Sequence, residues 1–403
     1  MTLLLGRSAG NLLGAGGLDE ALRTAVQRHQ VPGAVAMVAT AEKTLYEGAF
    51  GKRDAASETA LTTSSIFRVA SMTKAVTSAA ALQLVERGKL QLDEPVAKHL
   101  PELGKLEVLE GFDPGTGKPL LRPARQPVTL RRLLTHTAGF AYDTWDGNLQ
   151  KYMAQAGIPA AGAGPAVTVT LLVFEPGTRW EYGTNLDWTG RLVEVVSGQT
   201  LEAYFKRHIF QPLGMRDTGF RFPAEKFDRL VSFYQRQGEG ALKEEPRTLP
   251  PPPPFFNGGG GLYSTASDYL RFTQMILRRG RGPRKEQILS PKTVAMMASN
   301  QIGDLSAGKL QSFRPERSRD VDLHPGFHEK FGFGFLINTT AYEGGRSAGS
   351  LAWAGLQNTF YWIDPRRGIC AVLLMQFLPF CDAAALGVLR DFERAVYATL
   401  PAA

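Results

Sequence analysis

The 403-residue chain has two cysteines, Cys370 and Cys381, too few for a disulfide framework or a cysteine-based zinc site. No apolar run approaches the roughly 18 residues of a membrane span. The opening Met1-Thr-Leu-Leu-Leu-Gly-Arg7 carries its positive charge after a short apolar stretch, and no small-residue cleavage site follows. A cytoplasmic, soluble protein is the expectation. Metal and nucleotide motifs are also missing. His328-Glu329-Lys330 lacks the second histidine of H-E-x-x-H. Gly115-Thr-Gly117-Lys118 runs into Pro119 and has Phe112 where a phosphate loop needs its first glycine. No metal and no cofactor are expected. Lys and Arg exceed Asp and Glu by 46 to 38, a net charge of +8. The basic residues are scattered, however, with only short patches at Arg122 to Arg132 and Arg278 to Lys285 and no nucleic-acid motif around them. Neither a nucleic acid nor a membrane is expected as a partner.

What is present is an ordinary core composition, 43% hydrophobic and 10% aromatic, so a folded enzyme-sized body is expected. Residues 18 to 30 show helical spacing and stop at Val31-Pro32-Gly33; GAVAMVAT and KTLYEGAFG then read as two antiparallel strands. Near the other end, LAWAGLQNTFYWID and GICAVLLMQF read as strands joined by Pro365 to Gly368, followed by an amphipathic helix, DAAALGVLRDFERAVYATL. Strands at both ends predict one antiparallel sheet built from the two termini and flanked by helices. Helical stretches at 72 to 88 and at 186 to 210, broken near Gly198, predict a mainly helical insertion. The domain reading is an N-terminal segment 1–17, an α/β part 18–68, a helical domain 69–225 and a second α/β part 226–403. Pro250 to Pro254 and Gly258 to Gly261 read as a stiff connector and a tight turn.

Ser71-Met72-Thr73-Lys74 opens the helix that runs to Gly88. Residues three apart on a helix share a face, so Lys74 can reach Ser71, and the helix start offers amide donors to a developing anion. An amine that accepts the hydroxyl proton activates an otherwise weak nucleophile. The tetrapeptide itself is cheap, roughly one or two matches being expected by composition. Ser306-Ala-Gly-Lys309 is a second match, but it lies in a polar stretch with no helix behind it and reads as a surface coincidence. Gly6-Arg-Ser8-Ala-Gly10 fits a nucleophile elbow without room for the strand that must precede it. Tyr182, in a loop before a helix, and Trp353, early in a strand, each read as packed aromatics when taken alone.

Taken in order, SMTK at 71–74, LLTHTAGF at 133–140, YGTN at 182–185, GGGGLYSTASDYLRF at 258–272 and WAG at 353–355 resemble the serine β-lactamase and penicillin-binding-protein superfamily. The nearest likeness is to class C β-lactamases and family VIII carboxylesterases, from about residue 18 to the C-terminal helix. VLEGFDPGTGKPLLRP, LQKYMAQAG and YGTNLDW are similar to fungal acyltransferases of the lovastatin pathway. The resemblance implies an α/β (α+β) β-lactamase-like fold, Ser71 as nucleophile, and Lys74 and Tyr182 as acid/base pair. It also implies the amides of Ser71 and Leu356 as oxyanion hole, with Gly355 allowing close approach of the acyl carbonyl. His136 reads as a structural residue of the loop beneath the site. Where the family carries K-T-G, this chain has Trp353-Ala354-Gly355, exchanging a carboxylate-binding cation for an apolar ring and disfavouring carboxylated substrates. Thr184 stands where the family's Y-x-N has asparagine, and Asn185 and Tyr142 are expected at the substrate entrance. The expected function is a serine carboxylesterase acting on a small-molecule ester with a short acyl chain, compatible with weak β-lactam hydrolysis. The alternatives are an acyltransferase using the same acyl-enzyme, a β-lactamase or D-alanyl-D-alanine peptidase, and a non-enzymatic binding module.

Overall fold

The computed structural model describes residues 15–54, 57–159 and 170–400. The Gly6 to Gly10 motif lies outside them. Helix α1, Ala15–Arg28, leads into β1, Gly33–Thr40, β2, Thr44–Asp54, and the short β3, Thr59–Ala60. Helix α2, Thr73–Glu86, follows the serine; α3, Asn185–Ser197, and α4, Ala266–Leu277, come later. The C-terminal part supplies β4, Lys330–Phe331, β5, Leu336–Ile337, β6, Leu351–Gly355, β7, Thr359–Asp364, β8, Ile369–Leu374, and helix α5, Ala383–Thr399.

These strands form one eight-stranded sheet in the order β4-β5-β6-β7-β8-β1-β2-β3. The two ends of the chain meet where β1 pairs antiparallel with β8, Val35 opposite Leu374 and Thr40 opposite Ile369. The sheet is thus built from both termini, as expected. Successive residues of a strand face opposite sides, and β7 shows which layers they meet. Tyr361 packs on Tyr269 of α4, with ring centroids 5.1 Å apart, and Trp362 packs on Phe392 of α5 at 6.0 Å. Helices therefore cover both faces, so β1, β7 and β8 are almost continuously apolar and buried. Cys370 and Cys381 are both buried and unbridged, and burial pushes the Cys370 thiol up to about 12.

Helix α2 runs through the centre of the molecule. Thr73 to Leu84 are all buried, and their small Ala, Thr and Ser side chains let α3 approach closely. The region between the two α/β parts also contains a three-stranded sheet, Glu107–Phe112, Pro119–Pro123 and Leu171–Leu172. Helix periodicity does not reveal strands this short. The segment LAWAGLQNTFYWID is not one strand. It turns at Leu356 to Asn358, where Asn358 adopts φ 60°, and becomes the β6–β7 hairpin with Gly355 opposite Thr359. Asparagine tolerates that left-handed conformation, and its side-chain amide donates to the carbonyls of Phe377 and Pro379. Among the described residues no helix is long and apolar enough to cross a membrane.

Arg346 ties the sheet's far edge to α5 through a bidentate, buried ion pair with Glu393, both contacts 2.9 Å. Removing one partner strands a buried charge. Arg346→Met is therefore expected to lose about 3–5 kcal/mol in urea unfolding, with most of it recovered in Arg346→Met/Glu393→Leu. A single-variant loss below about 1 kcal/mol would contradict this role.

Candidate active site

The turn before α2 sets the position of Ser71. Ala70 has φ 43°, an uncommon conformation for a side-chain-bearing residue, and Ala70–Met72 form a short 3-10 turn ahead of the helix. Neighbouring elements clamp this turn. The Val69 amide donates to the Leu262 carbonyl at 3.0 Å, the Thr359 hydroxyl donates to the Val69 carbonyl at 3.3 Å, and the Tyr269 hydroxyl donates to the Met72 carbonyl at 2.8 Å. Ser71 is partly exposed, whereas the residues that follow it are buried. Thr73 begins the α-helix, so Ser71 sits two residues before the start of regular helix, in the 3-10 turn.

Lys74 is 1% exposed. Its Nζ donates to Ser71 Oγ at 3.1 Å, to the Tyr142 hydroxyl at 3.1 Å and to the Gly259 carbonyl at 2.6 Å. Three acceptors thus surround a group that would be prohibitive to bury alone. Nζ also lies 4.6 Å from the ring centroid of Tyr182, over its face. The Tyr142 hydroxyl donates in turn to Asp187 Oδ2 at 3.1 Å, and Asp187 Oδ1 accepts from the Gly259 amide at 3.1 Å. Burial pushes the Asp187 carboxyl up from its ordinary value while Lys74 and these donors pull it down. Burial and Asp187 hold the Tyr142 phenol well above its usual range.

Tyr182 is 2% exposed and accepts a hydrogen bond from Trp353 Nε1 at 3.3 Å. Its ring packs against Trp353, Trp145 and Tyr142, with centroids 4.9, 5.3 and 5.5 Å apart. Ser71, Tyr182, Trp353, Gly355 and Leu356 line one cavity of about 20 Å³, closed by Trp145, Leu310, Val321, Leu323, Ala354 and Phe380. That is room for about one or two water molecules. No charged side chain is in this wall among the described residues. Gly355 has to be glycine, because a Cβ there would lie 2.3 Å from the Val69 carbonyl, the residue two before Ser71. The close approach of the β6 edge to the nucleophile turn depends on it.

One expected substrate contact is elsewhere. Asn185 is fully buried, and its Nδ2 donates to His136 Nδ1 at 3.0 Å and to the Phe140 carbonyl at 3.2 Å. The one-residue shift from Y-x-N to Y-x-x-N puts the amide on α3, beneath the site. Tyr142 directs its hydroxyl inward to Lys74 and Asp187, while its partly exposed ring packs against the wall residues Trp145 and Tyr182. His136 is held at φ 58°, accepts from the Gly183 amide at 3.4 Å and stacks beside Tyr182. Burial and the Lys74 charge push its pKa well below the ordinary value. Sequence reasoning missed Asp187, the carbonyl of Gly259, and the wall residues Leu310, Val321 and Leu323. The last three are isolated apolar positions in a polar stretch, and that isolation was the available signal. In the second S-x-x-K match Ser306 is exposed and Lys309 pairs with Asp322 at 3.1 Å. Among the described residues there is no cluster of three His, Cys, Asp or Glu arranged for a metal ion.

The Beta-lactamase family model matches residues 18–391. The chain belongs to the β-lactamase family. Within that family it is 33% identical over 404 residues to monacolin J acid methylbutanoyltransferase of Aspergillus terreus, covering 94% of this chain and 95% of that one. It is 30% identical over 403 residues to lovastatin esterase of Penicillium rubens, covering 94% and 98%. The solved structure of unliganded simvastatin synthase from Aspergillus terreus superimposes with a TM-score of 0.80 at 32% identity, over 94% of this chain and 97% of that one. This member of the β-lactamase family therefore falls among serine acyl-enzyme hydrolases and transferases.

Gly355→Ala tests the strand approach. Displacing β6 from the Ser71 turn is expected to lower kcat/KM on p-nitrophenyl acetate about 10²-fold or more while circular dichroism stays native. Activity within twofold of the parent would show that the contact is dispensable.

Proposed function

We propose that the protein is a serine carboxylesterase for neutral esters with compact acyl groups, working through an acyl-enzyme on Ser71. The observation that carries this reading is the 3.1 Å contact from Lys74 to Ser71 at a small cavity whose wall holds no charge. In the mechanism, Ser71 Oγ bonds to the ester carbonyl carbon as its proton passes to the Lys74 and Tyr182 pair. The amides of Ser71 and Leu356, two residues that line the cavity, stabilise the carbonyl oxygen as it becomes an oxyanion. Collapse expels the alcohol with a proton from the same pair, and water then releases the acid by the reverse sequence.

Trp353 supports neutral substrates. Its indole occupies the place of the family's carboxylate-binding lysine and is engaged with Tyr182, so a carboxylated β-lactam or peptide meets an apolar wall there. The apolar lining of the cavity supports a hydrocarbon acyl group, in keeping with a methylbutanoyltransferase among its relatives. That relative and simvastatin synthase favour a second reading, in which an alcohol replaces water as the acceptor of the same acyl group.

Ser71→Ala is expected to lose about 10³-fold or more of p-nitrophenyl butyrate turnover, and a folded variant that keeps full activity would end the assignment. With 1-propanol present, free butyric acid should remain the main product of the parent enzyme; propyl butyrate in excess would install the transferase reading instead. Across p-nitrophenyl esters, rates should peak at butanoate or shorter. Leu323→Ala, which opens the wall, should raise relative activity on hexanoate about tenfold; an unchanged preference would mean that Leu323 does not bound the acyl group.

A further inference from the structure

The catalytic cavity and a larger one share a side chain. Leu323, which bounds the 20 Å³ space at Ser71, also lines a cavity of about 470 Å³ between residues 322–327, the 342–346 loop and α5. A volume of that order holds a small organic molecule. Its apolar surface comes from Leu323, Pro325, Phe327, Leu386 and Leu389. Most polar groups of the lining are committed to partners. Arg346 and Glu393 hold each other in a bidentate pair, Asp322 pairs with Lys309 at 3.1 Å, and the His324 ring stacks on Tyr342 with centroids 3.9 Å apart. Arg390 and Arg394 differ. Both are exposed, and neither side chain has an ion pair or hydrogen bond among the described residues. Against them stands Glu343, so the uncommitted charge of the lining is net positive.

Helix geometry brings the two cations together. Residues four apart share a face, so Leu386, Arg390 and Arg394 follow one row along α5, with the buried Leu389 beside them. Exposed guanidinium groups next to a recess of leucine and phenylalanine complement an amphipathic anion. Its hydrocarbon part leaves water for the apolar side chains, and its carboxylate accepts charge-assisted hydrogen bonds from the arginines. We propose that this cavity binds a medium-chain fatty acid, its carboxylate at Arg390 and Arg394 and its tail against Leu323 and Phe327, and that the bound tail braces Leu323 and keeps the acyl cavity at Ser71 small. Binding at the cavity is independent of the acyl-enzyme reading; the brace rests on it. An acid released from a longer ester thereby restrains turnover of further long esters, while short acyl groups pass unaffected.

Isothermal titration calorimetry of the full chain with sodium octanoate tests the site. One molecule should bind per chain with Kd below about 1 mM. Acetate, which lacks the tail, and 1-octanol, which lacks the charge, should each bind at least about tenfold more weakly. Arg390→Gln/Arg394→Gln alters only exposed side chains, so it should stay folded, weaken octanoate about tenfold or more and leave 1-octanol unchanged. Protein blocked at Ser71 with diethyl p-nitrophenyl phosphate should bind octanoate as the parent does. Absence of saturable binding, or equal affinity in the double variant, overturns the site. Loss of binding on blocking Ser71 overturns it too, by placing octanoate in the catalytic cavity. For the brace, saturating octanoate should lower the ratio of p-nitrophenyl hexanoate to p-nitrophenyl acetate turnover about threefold or more in the parent, and leave it unchanged in Leu323→Ala. An unchanged ratio in the parent, or the same fall in Leu323→Ala, overturns the brace. A parent with no esterase activity defeats the acyl-enzyme reading and the brace together, and the calorimetry still decides the site.

Discussion

An ammonium group removed from water has to be met by acceptors on every side, and this requirement organises the centre of the molecule. Lys74 lies on a helix whose first three turns are buried throughout. Its acceptors come from three separate parts of the chain: the nucleophile turn, the loop after LLTHTAGF, and the glycine run before α4. Each has to approach closely. Gly258 allows the glycine run to pack on α3, since a Cβ there would lie 2.6 Å from the Leu186 carbonyl and 3.0 Å from Gly190. Gly183 does the same against the Phe140 carbonyl, at 2.2 Å. The tight turn read at Gly258 to Gly261 is therefore also the platform that makes a buried lysine tolerable.

The same constraint explains the site's division into two sides. Beneath Ser71 the groups are polar and mutually committed: Lys74, Tyr142, Asp187 and two backbone groups of Gly259. Above it the wall is aromatic and aliphatic, from Trp353, Tyr182, Trp145, Leu323 and Phe380. Charge stays where it can act on the hydroxyl, and the acyl group meets apolar surface.

Much of this was legible in the sequence where a local pattern carries the information. Strand β1 coincides with the apolar run Gly33 to Thr40, helix α5 with the amphipathic stretch after Asp382, and the helix after Ser71 was read within a residue or two. The β6–β7 turn was hidden because Leu356-Gln-Asn358 is short and sits between apolar runs. The hydrogen-bond partners of Tyr142 are not legible because they are remote: Asp187 lies 45 residues downstream and Lys74 lies 68 upstream. No periodicity links residues that meet only through packing of separate loops. Asn185 was placed by analogy with a motif from which it is displaced by one position, and on a helix one position turns a side chain by about 100°. The cavity wall at 310–323 carries no periodic pattern that would mark it. Its shape comes from anchoring to the Tyr142 loop, where the Phe313 amide donates to the Thr144 carbonyl at 2.8 Å and Trp145 Nε1 donates to Ser318 Oγ at 3.2 Å.

Hydrolysis and acyl transfer share every step up to the acyl-enzyme and differ only in whether water or an alcohol attacks it, so relatives of both kinds fit one constellation. The central claim concerns the shared step, in which Ser71 becomes acylated with the help of Lys74. Its most direct measurement is peptide mass mapping of protein mixed with p-nitrophenyl acetate and quenched in acid within the first turnover. The parent should carry one acetyl group, on the peptide containing Ser71, and Lys74→Ala should carry almost none. An acetyl group on any other residue, or equal acetylation without Lys74, would contradict the assignment.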